Sequence, residues 1–333
     1  MENRPDIVIL GDGGWGTTLS VLLARKGFKV TLWGAFAANI AYMKNKRENK
    51  KFLPGIKIPG GIILTSDLRA AMQKKDIVVL AVPSQYIRSV LKKVKQIGYP
   101  RQAIYLSVTK GIEMGTLKRI SEVIHDELGA VKLAVLSGPT IAHEVAKGVP
   151  TVAVIAAHNR KAGKILQNIF MSGRFRIYTN TDVTGVELGG SLKNVIAIAC
   201  GISDGLGFGA NTKAAILARG LAEISRLGLA MGAGSRTFSG ISGLGDLVTT
   251  CISPYSRNRL VGEKIGQGRK LKQVISRMQM VAEGVPTAKS AYALSLKYKV
   301  DMPIAKEVYN VLYKNKPALK AFKDLMAREK KEE

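Results

Sequence analysis

The chain has few of the residues that carry metal and redox chemistry. Its 333 residues include two cysteines, three histidines and two tryptophans. Cys200 and Cys251 are far apart and match neither a zinc-ligand spacing nor a disulfide framework, so we expect buried thiols in a reducing cytoplasm. The histidines also form no ligand pattern. The sequence therefore predicts no metal site and no catalytic histidine.

Long hydrophobic runs are also missing. No continuous apolar segment approaches the roughly 20 residues that a membrane-spanning helix needs. The N-terminal residues lack the charged-then-apolar shape of a secretory leader. Hydrophobic residues make up 46% of the chain and charged residues 23%. This composition is typical of globular proteins, and we expect a cytoplasmic protein without a membrane span.

Acidic residues are scarce, with 24 Asp and Glu against 51 Lys and Arg and a net charge of +27. Three explanations are open: a basic surface without function, steering of an anionic substrate and cofactor, and nucleic-acid binding. The main basic run, residues 44–51, is short, and a solvated helix and loop are expected there. The other lysines are scattered over predicted helix surfaces. This distribution favours a solvated surface, and we expect no nucleic-acid partner.

The strongest motif lies close to the N-terminus. The apolar residues 7–10 run directly into Gly11, Gly13 and Gly16, which have the spacing G-x-G-x-x-G. A helical pattern and a second apolar strand follow within about thirty residues, which is the context of a dinucleotide-binding turn. Gly11 would form the tight turn, Gly13 would let the backbone approach a pyrophosphate, and Gly16 would let helix and strand pack closely. The phosphates would lie at the helix N-terminus.

The pattern of apolar residues changes near residue 181. Residues 1–181 alternate strands and helices, and the near-continuous apolar runs favour a mostly parallel sheet. Strands are predicted at 6–10, 28–33, 61–64, 76–82, 103–108, 131–136, 151–157 and 175–179. Residues 182–333 contain only helical patterns, at 182–201, 211–230, 257–267, 283–299, 303–314 and 317–330, with a loop at 231–245. We therefore predict an α/β Rossmann-type dinucleotide-binding domain followed by an all-α substrate domain, which would cap the carboxyl edge of the sheet.

Two strand ends carry candidate functional residues. Lys110 follows the strand at 103–108 and would point toward the cofactor edge. Gly138 and Thr140 follow the strand at 131–136, and Pro139 fits the first turn of a helix. Ordinary surface and turn chemistry would explain the same residues equally well.

The helical half contains two further candidates. Lys193 lies in an apolar helix, where burial of an ammonium is costly unless it is paired, and Asp246 is the expected partner. Ser256 is a good N-cap for the next helix, with Arg257 and Asn258 in its first turn. Because cations normally avoid a helix N-terminus, Arg257 indicates a bound anion, most simply a phosphate. A carboxylate elsewhere in the chain is the alternative partner.

Taken together, the motifs resemble those of the NAD(P)-dependent glycerol-3-phosphate dehydrogenase family over nearly the whole chain. The motifs that carry this resemblance are the glycine turn with Trp15, residues 52–55, 81–84, 109–111, 137–140, 188–195, 205–211, 243–247 and 256–259, and Ala282-Glu283-Gly284. The resemblance implies reduction of dihydroxyacetone phosphate to sn-glycerol 3-phosphate for phospholipid synthesis. It also implies NAD(P)H as cofactor, a small phosphorylated substrate as partner and a homodimer.

The resemblance assigns roles to individual residues. Lys193 would exchange a proton with the substrate oxygen, Lys110 would contact substrate and cofactor, and Asp246 would complete the catalytic set. Substrate-binding residues would be Lys110, Gly138, Thr140, Lys193, Asp246, Ser256, Arg257 and Asn258. Cofactor-binding residues would be Gly11, Gly13, Gly14, Trp15, Gly16, Lys110, Ala142, Arg257, Val281 and Glu283.

Two positions depart from the family pattern. Asp12 replaces a small neutral residue of the glycine turn, where an acid would weaken pyrophosphate binding unless it points to solvent. Ala35 replaces a His or Arg that many relatives carry. No acid ends the second strand to select NAD and no Arg lies there to select NADP, so the preference between NAD and NADP is open. Two alternative functions are open. One is another two-domain dehydrogenase for a phosphorylated sugar acid or a hydroxyacyl thioester, and the other is a dinucleotide sensor without turnover.

Overall fold

A computed structural model of the chain describes residues 4–330 and 332. The chain divides into two compact units. The first unit contains the described residues up to Lys110 together with Lys118–Val186. The second unit contains Gly111–Leu117 and the described residues from Glu187 onward. The segment Gly111–Leu117 therefore groups with the helical half, although it follows a strand of the first unit.

The first unit is built on an eight-stranded sheet with the order β10-β9-β8-β7-β6-β1-β2-β5. All neighbouring strands are parallel except β8 and β9, which are antiparallel. A separate antiparallel pair is formed by β3 and β4. The bounds are β1 Ile7–Leu10, β2 Val30–Trp33, β3 Glu48–Asn49, β4 Leu53–Lys57, β5 Ile63–Thr65, β6 Ile77–Leu80, β7 Ile104–Ser107, β8 Lys132–Ser137, β9 Thr151–Ala156 and β10 Phe175–Asn180.

Both faces of the central strands β2, β1, β6 and β7 are buried. Alternate residues of a strand point to opposite faces, so Ile7 and Ile9 lie in one apolar core and Val8 and Leu10 in another. Helices cover the faces, as the near-continuous apolar strands require. They are α1 Gly14–Arg25, α2 Ala37–Lys46, α3 Leu68–Met72, α4 Ile87–Ile97 (after a 3₁₀ turn, Ser84–Tyr86), α5 Ile120–Leu128, α6 Ala142–Ala146 and α7 Arg160–Phe170.

All eight strands predicted from the sequence are present in the large sheet, which confirms the α/β class. The β3–β4 hairpin was not predicted, because residues 44–51 suggested a solvated helix and loop. The lysines of that run are exposed, but Asn49 is buried. Its Nδ2 donates to the carbonyl of Asp12 (2.7 Å) and to Thr17 Oγ1 (2.8 Å). The hairpin is thereby fastened to the glycine turn.

The second unit is helical around one apolar core. Its helices are α8 Val183–Gly205, which begins in the first unit, α9 Ala210–Ala230, α10 Ser235–Phe238, α11 Asp246–Ile252, α12 Arg257–Gly266, α13 Leu271–Ser276, α14 Gly284–Lys297, α15 Pro303–Tyr313 and α16 Ala318–Met326. The six long helices predicted are confirmed. The predicted loop at 231–245 is wrong: it contains α10 and a π-helical turn, Ile241–Gly245. Gly and Ser suggested a loop there, but burial of Phe238 and Gly243 stabilises helical turns.

Helix α8 is long and apolar enough to cross a membrane by length and composition, although polar residues divide it into shorter apolar runs. Glu187 and Lys193 interrupt its apolar residues. In the structure, 94% of its most apolar 18-residue window is buried inside the protein. Its apolarity is therefore that of a core helix.

Candidate active site

The glycine turn joins β1 to α1, and its shape requires glycine at two positions. Gly11 has φ of +120°, a conformation that L side chains rarely adopt, and a Cβ there would lie 2.5 Å from the carbonyl oxygen of Ala81. A Cβ on Gly16 would lie 1.9 Å from the carbonyl oxygen of Gly11. The first and third glycines therefore allow the close packing that the sequence predicts.

The residues of this turn fit a bound dinucleotide. A Cβ added to Gly13 would have no atom within 4 Å, so the turn is open at the position where the sequence places a pyrophosphate. Gly13 is the N-cap of α1 and offers no side chain to its free N–H groups. Trp15 Nε1 is buried and has no hydrogen-bond partner among the described residues. The start of α1, which has no side-chain cap, therefore matches the acceptor oxygens of a pyrophosphate.

Ala142 lies beside the same turn. A Cβ on Gly14 would lie 3.8 Å from Cβ of Ala142 and 2.7 Å from the carbonyl oxygen of Phe52. Thr18 Oγ1 also donates to the carbonyl of Ala142 over 3.0 Å. The fold thus brings together Gly14 and Ala142, two predicted cofactor residues that are far apart in sequence.

Asp12 does not point to solvent. Its side chain is buried, with 7% of the residue exposed, and its Oδ2 accepts a hydrogen bond from Asn39 Nδ2 over 2.6 Å. Burial raises the pKa of Asp12, while the hydrogen bond from Asn39, a backbone hydrogen bond and the charge of Lys51 oppose this effect. From the sequence we expected Asp12 to lie either beside the pyrophosphate or in water. The structure shows a third arrangement, in which the carboxylate is buried and bonded to Asn39.

Lys110 is held at the carboxyl end of β7, in the first unit. Its Nζ donates to the carbonyl of Gly138 over 2.7 Å and to Thr140 Oγ1 over 3.1 Å. Three predicted substrate residues therefore meet at the ends of two neighbouring strands. Pro139 does not lie in the first helical turn, as predicted, because α6 begins only at Ala142. Gly138 has φ of +135° and redirects the chain after β8 before the helix can start.

In the second unit, Lys193 of α8 and Asp246 of α11 form an ion pair. Lys193 is 5% exposed and Asp246 1%. Lys193 Nζ also donates to Thr250 Oγ1, and Thr250 Oγ1 in turn donates to the carbonyl of Asp246 over 2.7 Å. The pairing of Lys193 with Asp246 is confirmed. Thr250 was missed, because no helix was predicted at 246–252; its spacing of four residues from Asp246 would have placed both on one face of that helix.

Helix α12 packs unusually close to α8 because both carry glycines at the contact. A Cβ on Gly201 would lie 2.0 Å from the carbonyl oxygen of Arg259, and one on Gly262 would lie 2.1 Å from that of Ile198. Only glycine permits this approach of two helix backbones. The contact fixes the start of α12 relative to the helix that carries Lys193.

The start of α12 has the predicted cap. Ser256 Oγ accepts a hydrogen bond from the backbone N–H of Arg259 over 3.2 Å. The carboxamide of Asn258 is buried: its Nδ2 donates to Asn194 Oδ1 and its Oδ1 accepts from the N–H of Gly284, both over 2.9 Å. Asn258 thus links α12 to α8 and α14. Asn194, its partner, was not among the predicted site residues.

Arg257 is exposed and reaches residues before α14. Its Nη1 donates to the carbonyl of Val281 over 2.8 Å, and Glu283 lies close enough to interact with it electrostatically. The structure therefore groups three predicted cofactor residues, Arg257, Val281 and Glu283, within the second unit. Because Nη1 bonds a carbonyl and the guanidinium carries further donors, Arg257 can also bind an anion.

Comparison with known proteins identifies the family. The family model described as NAD-dependent glycerol-3-phosphate dehydrogenase N-terminus matches residues 6–163, and the corresponding C-terminus model matches residues 182–323. A relative from Geobacter sp. (strain M21), named glycerol-3-phosphate dehydrogenase [NAD(P)+], is 49% identical over 98% of both chains. One of the same name from Prosthecochloris aestuarii is 50% identical over 98% of this chain and 99% of that one.

Solved structures of glycerol-3-phosphate dehydrogenases are also similar to this chain. Glycerol-3-phosphate dehydrogenase from Coxiella burnetii is 37% identical with a TM-score of 0.94, covering 98% of this chain and 99% of that one. The enzyme from Plasmodium falciparum is 26% identical with a TM-score of 0.89, covering 99% and 98%. The resemblance inferred from the motifs is thereby confirmed, and the chain belongs to the NAD-dependent glycerol-3-phosphate dehydrogenase family.

Proposed function

We propose that this chain catalyses hydride transfer between NAD(P)H and dihydroxyacetone phosphate, giving sn-glycerol 3-phosphate for phospholipid synthesis. The buried Lys193–Asp246 pair with Thr250 is the observation that carries the proposal. A desolvated ammonium held by a carboxylate and a hydroxyl is suited to exchanging a proton at a substrate oxygen. Family membership disfavours both a different two-domain dehydrogenase and a sensor without turnover.

The residues of the helical unit divide into two roles. Lys193 donates a proton to the carbonyl oxygen during reduction and removes it during oxidation, while Asp246 holds the ammonium in place. The guanidinium of Arg257 binds the substrate phosphate. Ser256 fixes the helix start that presents Arg257, and Asn258 contributes the remaining N–H of its carboxamide.

The first unit supplies the cofactor turn and further substrate contacts. A bound nicotinamide dinucleotide supplies or accepts the hydride. Gly11, Gly13, Gly14, Trp15, Gly16 and Ala142 would hold it, together with Lys110, Arg257, Val281 and Glu283. Lys110, Gly138 and Thr140, which are already hydrogen-bonded to one another, orient the substrate. We assign dinucleotide binding to residues 1–181 and substrate binding mainly to residues 182–333.

We further propose that the enzyme is a homodimer of the cytoplasm, with small molecules rather than nucleic acid as its partners. The net charge of +27 would favour the approach of an anionic substrate and cofactor. Steering of this kind predicts a rate of substrate capture that falls with ionic strength.

The test is an absorbance assay of NADH and NADPH oxidation with dihydroxyacetone phosphate and with unphosphorylated dihydroxyacetone at matched concentration. We expect turnover of the phosphorylated compound alone. Comparable kcat/KM for both compounds would overturn the phosphate role of Arg257. An enzyme that binds NADH or NADPH but turns over neither compound would overturn the proposed activity.

A further inference from the structure

The end of β2 lacks the side chain that usually selects NAD in this type of fold. In dinucleotide-binding sheets an Asp or Glu at this point accepts a hydrogen bond from the 2′-hydroxyl of the adenosine ribose, whereas an Arg accommodates the 2′-phosphate of NADP. Here β2 ends at Trp33 and is followed by Gly34, Ala35 and Phe36. None of these three residues can accept a hydrogen bond from the 2′-hydroxyl through a side-chain carboxylate or bind a 2′-phosphate through a guanidinium.

A carboxylate nevertheless occupies this position. A Cβ built on Gly34 would lie 2.5 Å from Cγ and 2.6 Å from Oδ2 of Asp12. The side chain of Asp12 thus fills the space that a side chain at residue 34 would enter. Any larger residue at position 34 would therefore displace the Asp12 carboxylate.

The surrounding residues hold this carboxylate in place. Asn39 Nδ2, from α2, donates to Asp12 Oδ2 over 2.6 Å. Asn49, from β3, donates to the carbonyl of Asp12 and to Thr17, which fixes the backbone of the turn. Because Asp12 accepts hydrogen bonds at both its side chain and its main-chain carbonyl, the fold holds its carboxylate in one position.

We propose that Asp12, reaching the end of β2 from the glycine turn, replaces the missing strand-end acid and makes this enzyme prefer NADH over NADPH. Its carboxylate accepts a hydrogen bond from a ribose 2′-hydroxyl and repels a 2′-phosphate. The inference rests on the proposed dinucleotide binding and adds the cofactor preference to it.

Lys51 is the cation that opposes this preference. Its charge acts on the Asp12 carboxylate, and its Nζ lies 5.0 Å from the ring centroid of Phe52 and 5.9 Å from that of Phe36. Lys51 is exposed, so water and salt screen its charge, whereas Asp12 is buried and its field is screened less. The carboxylate therefore dominates the selection.

The test is a fluorescence titration of the purified protein with NADH and with NADPH, without substrate. The variants are Asp12→Asn, which has the same shape and can still accept from Asn39, and Lys51→Met. Asp126→Asn, which removes a carboxylate from α5 that is paired with Arg88 and Lys118, is the matched control. Thermal unfolding of each variant monitors the fold.

We expect the wild-type protein and Asp126→Asn to bind NADH at least about tenfold more tightly than NADPH. Asp12→Asn should reduce this ratio to about threefold or less, by weakening NADH and strengthening NADPH binding, and Lys51→Met should widen it. Equal affinities in the wild-type protein, or an unchanged ratio in a folded Asp12→Asn, would overturn the role of Asp12 alone. Failure of both dinucleotides to bind would overturn the dinucleotide site itself.

Discussion

Lys193 and Asp246 form an ion pair in the helical unit that is almost completely removed from water, and Thr250 contacts both. A buried pair contributes little net stability, because desolvation of the two charges offsets much of their attraction. Net stability therefore does not account for this buried pair, whereas the proposed proton transfer does. The two partners differ in what their removal should change.

Lys193→Met should lower kcat by at least about 10²-fold, because the substrate oxygen loses its proton donor and acceptor. NADH binding, measured by fluorescence, should remain. Wild-type oxidation of glycerol 3-phosphate should rise with pH through one ionisation, and that rise should vanish in the variant. Lys297→Met, an exposed lysine on α14, is the control. If the variant kept both kcat and the pH dependence, the proton-transfer role would belong to Lys110 or to a bound water molecule instead.

Asp246→Ala should lower the free energy of unfolding by roughly 3–5 kcal/mol, because it leaves a buried ammonium without its carboxylate. The double variant Lys193→Met/Asp246→Leu should be less destabilised than Asp246→Ala, since no unpaired charge remains. Urea unfolding followed by circular dichroism measures both. Asp126→Ala, which breaks more exposed pairs, should have a much smaller effect. A double variant at least as unstable as Asp246→Ala would contradict the electrostatic cause.

Arg257→Ala should raise KM for dihydroxyacetone phosphate by roughly 10- to 150-fold, because a charge-assisted hydrogen bond contributes about 1.5–3 kcal/mol. Arg269→Ala removes an exposed arginine of the same unit and should leave KM unchanged. Steady-state kinetics at low salt compares the two. An unchanged KM for Arg257→Ala would mean that its guanidinium serves only Val281 and Glu283.

Gly13→Val should abolish NADH binding while the protein still folds. Gly13 has φ of −66°, and a Cβ there would have no atom within 4 Å, so the backbone accepts a side chain, which blocks the approach to the turn. Gly16→Val, in contrast, should fail to fold, because its Cβ would overlap the carbonyl of Gly11. Fluorescence titration and circular dichroism separate these effects. Wild-type NADH affinity in a folded Gly13→Val would disprove the cofactor turn.

Glu223 should make stability depend on pH near neutrality. Its buried carboxyl accepts hydrogen bonds from the N–H groups of Ile304 and Ala305, at the start of α15. Burial raises the pKa of Glu223 from 4.5 to about 7, against the effect of these bonds. The folded state therefore binds the extra proton, and the associated stability is complete below pH 4.5 and is lost as the pH rises through about 7.

Comparison with Glu223→Gln isolates this effect from other titrating groups. The unfolding free energy of the wild-type protein should fall relative to the variant by on the order of 3 kcal/mol between about pH 4.5 and about pH 8. Urea unfolding at several pH values measures the difference. A difference that stays constant with pH would show that Glu223 remains ionised in the folded protein.

The sequence by itself determined the elements whose signals are local. The eight strands of the large sheet, the six long helices, the glycine turn and the Ser256 cap all follow from apolar periodicity, steric limits on glycine and capping chemistry within a few residues. The ordered motifs also identified the family, because each lies in a short contiguous segment.

Only the tertiary structure decided the contacts between segments distant in sequence. The pairing of Asn258 with Asn194, the hairpin fastened to the glycine turn by Asn49 and the placement of Asp12 against Gly34 each join residues that no local pattern relates. Helix α11, which carries Thr250, also depends on tertiary packing. Its intrinsic helical signal is weak, and burial of its residues in the core stabilises it. Such side chains acquire their partners only when packing brings their helices and strands together.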